Sequence, residues 1–422
     1  MKTTRKIPIV STQDKQILRE LGRKKAEIAA LPVQQERRRL WTSLNDLHSV
    51  RPMVWVFEVP WHEMDVNGEL TLRCESQICR DTELALRREL YQWTHMQGDM
   101  VIAPAITVPP VLHDTGFGLD EQVDIVKTDD TNPVVSRNFH IQIKDEQDID
   151  KIQMPTVTLD NAEWDTRYCL MSEIFDKIIP VHKIGWTGTT ISPWDYLVRL
   201  TGIEEILLDM CTRPDYVHRI MDRLTNAYIA RLDQYEKLNI MAFNNDIWSG
   251  GGYSFTDELP QPDCNQNSIR TQDMWGRTMA QIFSAVSPAM HEEFSLQYEC
   301  RWLNRFGLTY YGCCEPLHKK IDILRRNIPN LRKISMSPWI DLNEAAENVG
   351  TEYVFSYKPN PVILAGDEWN PELFRRNLRE ALSCLRTMHV EIILKDISTV
   401  QYAPQRLWEW TRIASEVASE LR

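Results

Sequence analysis

A chain of 422 residues with a net charge of −12, 43% hydrophobic and 26% charged residues, has the composition of a soluble globular protein. It lacks the concentrated positive charge that nucleic-acid binding needs, and no run reaches the roughly 18 consecutive apolar residues of a membrane span. The basic start is followed only by Ile7-Pro8-Ile9-Val10, too short for a signal peptide, and nine cysteines suit a reducing compartment better than a disulfide scaffold, so a cytoplasmic protein is expected.

Residues 12–49 read as one or two helices, with Asp14 as N-cap, Ile17, Leu18, Leu21 and Ala26 at helical spacing, and Pro32 as the break. Short apolar runs follow, most of them trailed by a helical pattern. They are Met53–Phe57, His182–Trp186, Ile240–Phe243, His291–Tyr298, Leu308–Cys314, Lys333–Ser337, Tyr353–Tyr357 and Glu391–Leu394. Helices are expected over Trp194–Met210 and Gln405–Leu421. Eight strands in helix-separated order predict a (β/α)8 TIM barrel over residues 51–422, preceded by an N-terminal helical extension over 1–50. The insertion of about 62–180 after the first strand is too long for one crossover. Its aspartate-rich tract, Asp120–Asp150, reads as a lid or wall without an apolar pattern of its own.

In such a barrel the site lies at the C-terminal strand ends. Those ends carry Glu58, Trp61, Trp186, Asp246, Glu299, Cys313 to Glu315, Trp339, Lys358, Asn360, Lys395 and Asp396, with Trp248 close by. Tyr310-Tyr311-Gly312-Cys313-Cys314-Glu315-Pro316 is the most telling stretch, because thiolates and a carboxylate at a strand tip are the donors zinc takes. Alternation puts Cys313 and Cys314 on opposite faces, so both reach one metal only if the strand breaks at Gly312 or Pro316. The expected metal set is Cys313 with Glu299, and Cys314 or Glu315 as a third ligand; the alternative is two buried core thiols. Glu58, Asp246 and Lys395 are the candidate proton-handling groups. Trp61, Trp186, Trp248 and Trp339 would line a pocket, and Lys358 and Asn360 would bind substrate.

From Arg51 onward the chain resembles the uroporphyrinogen decarboxylase superfamily, which includes the corrinoid (cobalamin-dependent) methyltransferases. The residues that carry the resemblance are Arg51-Pro52-Met53-Val54-Trp55, Ile184-Gly185-Trp186-Thr187-Gly188, Gly202 to Pro214, and Tyr357-Lys358-Pro359-Asn360-Pro361-Val362. The resemblance implies the same barrel. True decarboxylases of this superfamily carry arginines after the first strand, whereas this chain has Phe57-Glu58-Val59-Pro60-Trp61-His62, so uroporphyrinogen is not expected as substrate. The methyltransferase branch holds zinc through a His-x-Cys pattern and a later cysteine. Tyr311-Gly312-Cys313 keeps the cysteine but not the histidine, and Asn360 stands near the later position.

The resemblance therefore implies a zinc-dependent methyltransferase acting between a small methylated compound, such as a methyl ether, or a thiol and a corrinoid carried on a partner protein, and it suggests a homodimer. The alternatives are a decarboxylase or lyase of another small acid, with Lys358 or Lys395 on its carboxylate, and a barrel that binds without turnover.

Overall fold

The computed structural model describes residues 10–127, 135–245 and 250–421. Two helices, Thr12–Ala29 and Pro32–Asn45, open it. Ser11 rather than Asp14 caps the first, its hydroxyl accepting the Asp14 N–H at 3.0 Å. The Asp14 carboxylate instead receives the N–H groups of Glu75 and Ser76 at 2.9 and 3.0 Å, pinning the insertion to the helix.

Thirteen strands follow among the described residues: β1 (Met53–Val56), β2 (Ile106–Val108), β3 (Leu112–Asp114), β4 (Val123–Val126), β5 (Ser136–Phe139), β6 (Val157–Leu159), β7 (Val181–Lys183), β8 (Thr190–Ile191), β9 (Trp275–Thr278), β10 (Leu308–Tyr311), β11 (Leu331–Met336), β12 (Val354–Tyr357) and β13 (His389–Leu394). Seven of them form one sheet in the order β1-β13-β12-β11-β10-β9-β8, parallel at every pairing. A second parallel pair joins β2 to β7, and a parallel bridge links Trp186 to Met241. Helices cover the outer face, so β1, β9 and β10 are buried at every residue. The sheet is strongly curled. β10 and β13 are separated by two strands, about 14 Å if flat, yet Lys395, just past β13, bonds the sulfur of Cys313, just past β10, at 2.9 Å.

Two sequence expectations are corrected. His291–Tyr298 is not a strand: Pro288–His291, a π-helical turn at Glu292–Leu296 and Gln297–Leu303 make one helical run. Met290, Phe294, Tyr298 and Trp302 recur every fourth residue, a helical period that the local alternation Phe294, Leu296, Tyr298 masks. Two strands of the seven-stranded sheet have no apolar run to announce them, the short β8 and β9, Trp-Gly-Arg-Thr.

The insertion also differs from a bare lid. It contains the hairpin β4–β5 and the antiparallel pair β3–β6. Cys79, Leu86, Ile106, Val108, Leu170, Ile174 and Phe175 of this region share an apolar cluster with Leu18 and Leu21 of the first helix. No described helix is long and apolar enough to cross a membrane.

Candidate active site

The chemistry gathers where β10 and β13 end. β10 stops at Tyr311 because Gly312 turns the chain at φ +91°, and a Cβ there would lie 2.4 Å from Leu317 Cδ1. The turn is tied down: the Gly312 N–H donates to Thr278 O at 2.9 Å, and its carbonyl accepts from Arg277 Nη2 at 2.6 Å. This break in the alternation brings both thiols to one side, with Cys313 Sγ and Cys314 Sγ 3.7 Å apart. Lys395, just past β13, donates from Nζ to Cys313 Sγ at 2.9 Å and to Cys314 Sγ at 3.3 Å. Asp396 completes the group, its Oδ2 lying 3.3 Å from Lys395 Nζ and accepting from Cys314 Sγ at 3.4 Å. Asp396 sits at φ +57°, held by its N–H bonding Glu58 Oε2 at 2.6 Å.

The thiol of Cys313 is drawn well below its usual value. The hydrogen bond with Cys314 contributes most, burial opposes it, and the Arg277 and Lys395 charges add to the lowering. Cys314 moves the other way, raised by that same hydrogen bond and by burial. Burial would discharge Lys395, but the two cysteines outweigh it and raise its pKa. The surroundings therefore favour the thiolate form of Cys313, held by the Lys395 ammonium. Burial is also the main cause raising Glu58, and it pushes Asp195 up to about 6. Asp195 accepts from Gln281 Nε2 at 2.7 Å and feels the Cys313 charge.

Beneath this group lies a fully buried ionic network. Lys358 Nζ bonds the Tyr310 hydroxyl at 2.6 Å and Ser356 Oγ at 2.7 Å; Ser356 Oγ donates to Glu391 at 2.5 Å, and Glu391 pairs with Lys333 at 2.7 Å. Arg277 lies over the Tyr310 ring, 4.4 Å from its centre. Lys358 is thus committed to the interior and not free for a substrate carboxylate, a correction to its expected role.

The remaining expected residues scatter. Glu299 is on a helix, its carboxyl accepting from the Tyr311 hydroxyl at 2.7 Å, while His291 Nε2 meets the same hydroxyl at 2.6 Å. Tyr311 neighbours the inward-facing Tyr310 and points to the opposite face, which takes Glu299 away from the thiols. Burial drives Glu299 up to about 8, so it is a neutral acid at pH 7. Glu315 is also withdrawn, its two oxygens accepting the N–H groups of Cys313 and Ala280 at 2.9 and 3.2 Å. Trp61 packs edge-on against Tyr91, and Trp186 packs on Tyr235. Asn360 is exposed and accepts the Val362 N–H at 3.0 Å, and Trp339 is 69% exposed. Asp246 and Trp248 lie outside the described residues.

The donors do not fit the expected zinc. Among the described residues no group of three or more histidine, cysteine, aspartate or glutamate side chains is arranged to hold a metal, and an ammonium bonds both sulfurs. Arg277 and Asp195 are the participants that sequence reasoning missed. Arg277 stands in a strand without an apolar signature, and Asp195 in the first turn of the helix Pro193–Thr201 looks like an ordinary helix-start acid.

Residues 74–242 match the family model of uroporphyrinogen decarboxylase (URO-D), inside the stretch over which the sequence resembles that superfamily. No curated protein matches the chain. Among solved structures it is similar to a methyltransferase from Methanosarcina mazei, at 14% identity and a TM-score of 0.48, over 90% of this chain and 97% of that one.

Proposed function

We propose that the protein is a methyltransferase on a closed (β/α)8 barrel, moving a methyl group between a small methylated compound or thiol and a corrinoid carried by a partner protein. The observation that carries this reading is the Cys313–Lys395 thiolate–ammonium centre at the C-terminal ends of parallel strands, where barrel enzymes keep their chemistry. The URO-D match supports the superfamily, and Glu58 in place of an arginine turn argues against a polycarboxylate substrate. The decarboxylase alternative weakens because Lys358 is spent on Tyr310 and Ser356.

Barrel closure is supported by the curl of the seven-stranded sheet and by the parallel pairing of β2 with β7 and of Trp186 with Met241. In this reading Cys313 is the sulfur centre, Lys395 keeps it ionised, and Glu58 and Asp195 are the carboxyls placed to exchange a proton with a leaving atom. The corrinoid supplies a cobalt that carries the methyl group. Trp339, Val362 and Tyr402, exposed by 69, 64 and 59% just past β11, β12 and β13, form an apolar rim suited to a protein partner.

Free methylcobalamin with a small thiol such as 2-mercaptoethanol tests this, followed by loss of the alkyl-cobalt absorbance. The protein should accelerate the loss by at least about tenfold, and Cys313→Ser should abolish the gain. Equal rates with and without protein across a panel of small thiols would overturn the reading.

A further inference from the structure

We infer that Lys395 stands where a metal would otherwise sit between the two sulfurs, and that Cys313 itself takes up the transferred methyl group as a thioether. This rests on the reading that Cys313 is the reacting centre, and goes beyond it by naming the methyl-accepting atom. The sulfurs are 3.7 Å apart, a gap that one zinc ion with bonds of about 2.3 Å could bridge. The ammonium already bridges it, and its side chain is only 6% exposed, bonded to Cys313, Cys314 and Asp396. An incoming metal would have to expel that charge; beside the two thiols it would meet the Asp396 carboxylate, which is the counter-ion of Lys395, while the nearby Glu58 carboxylate is engaged by the Asp396 N–H. Glu315 is held by two backbone N–H groups, while Glu299 and His291 are engaged with Tyr311.

A metal and an ammonium do different things to a thiolate. Coordination donates sulfur electron density into a covalent bond, whereas a hydrogen bond stabilises the anion while leaving more of that density on the sulfur for attack. Cys313 remains 8% exposed at the strand ends, enough to meet a small electrophile. In the step, a Cys313 sulfur lone pair forms the S–C bond to the methyl carbon, and the bond from that carbon to its leaving atom breaks, its electron pair departing with the leaving atom. When the leaving atom is oxygen, nitrogen or sulfur, nothing is oxidised or reduced. The sulfur loses its charge, and Lys395 keeps Asp396 as its counter-ion.

The test uses the full-length protein stripped of metal with a chelator and treated with methyl iodide, the added methyl groups being located by peptide mass spectrometry. Cys313 should be methylated about tenfold or more faster than the exposed Cys169, Cys211 and Cys384 of the same molecule. Stoichiometric zinc should not slow it. Lys395→Met should slow Cys313 by about tenfold and leave the three exposed cysteines unchanged, with the buried Cys74 and Cys79 still unlabelled as the sign that the variant is folded, while Lys395→Arg, which keeps the charge, should retain most of the rate. Protection of Cys313 by zinc, labelling no faster than at the exposed cysteines, or indifference to Lys395→Met would each overturn the inference. Failure of methyl transfer to or from cobalamin, with Cys313 still selectively labelled, would instead count against the methyltransferase reading alone.

Discussion

Gly312 and Glu299 show how single residues set the terms of the site. Gly312→Ala would force a Cβ into Leu317 and an alanine into a left-handed backbone region. Its expected cost is about 1–3 kcal/mol, read by urea unfolding, with loss of cobalamin-linked activity of at least about tenfold from the displaced thiols. Glu299 makes a pH prediction. Its folded pKa of about 8 lies above the unfolded 4.5, so the stability it contributes is complete below pH 4.5 and is lost as pH rises through 8. Glu299→Gln keeps the shape and an acceptor for Tyr311 but cannot ionise. The variant should match wild type near pH 4 and exceed it at pH 8 by on the order of 1 kcal/mol or more, measured by urea unfolding at each pH. A constant difference across that range would refute the assignment of a neutral buried acid.

At the scale of elements, the buried ion pair between β11 and β13 is expected to be costly to break and cheap to remove whole. Glu391→Gln leaves Lys333 charged and uncompensated in the interior, and should destabilise by about 3–5 kcal/mol. Adding Lys333→Met should recover a large part of the loss, and a double-mutant cycle measures that recovery. The strands are legible where apolar residues run together, as in Met53–Phe57 and Glu391–Leu394, whereas the expected strand Leu308–Cys314 ends early, at Tyr311, because Gly312 turns the chain. β9 is not legible, because Gly276 and Arg277 interrupt it and the arginine's reason for being inside is a partner 35 residues away, the Gly312 carbonyl. The helix at 288–303 imitates a strand in sequence because Phe294, Leu296 and Tyr298 alternate across its middle, where the π-turn lies. The sequence placed Cys313, Cys314, Lys395 and Asp396 at strand ends but not against one another. That juxtaposition depends on the curl of the sheet, a long-range property that no local pattern encodes.

Across the whole molecule, the apolar rim of Trp339, Val362 and Tyr402 separates two kinds of damage. Trp339→Ala removes an exposed ring and should change stability by no more than about 0.5 kcal/mol. It should slow reaction with a protein-borne corrinoid, seen as a rise in KM for that carrier, while leaving the rate with free methylcobalamin intact. A loss with both substrates would place Trp339 in the pocket rather than on its edge.

The apolar cluster shared by the first helix and the insertion has a consequence for how the protein is made. Leu18 and Leu21 are buried against partners as distant as Phe175, and Gly22 lies so close to that ring that a Cβ would stand 2.7 Å from its Cε1. During synthesis at about 5–20 residues per second, that helix leaves the ribosome roughly 3–12 seconds before Cys79 and Leu86 and roughly 8–30 seconds before Phe175. Until they arrive its greasy stripe is incompletely covered, and it is there that a nascent chain of this protein is most open to chaperone capture or to sticking to its neighbours.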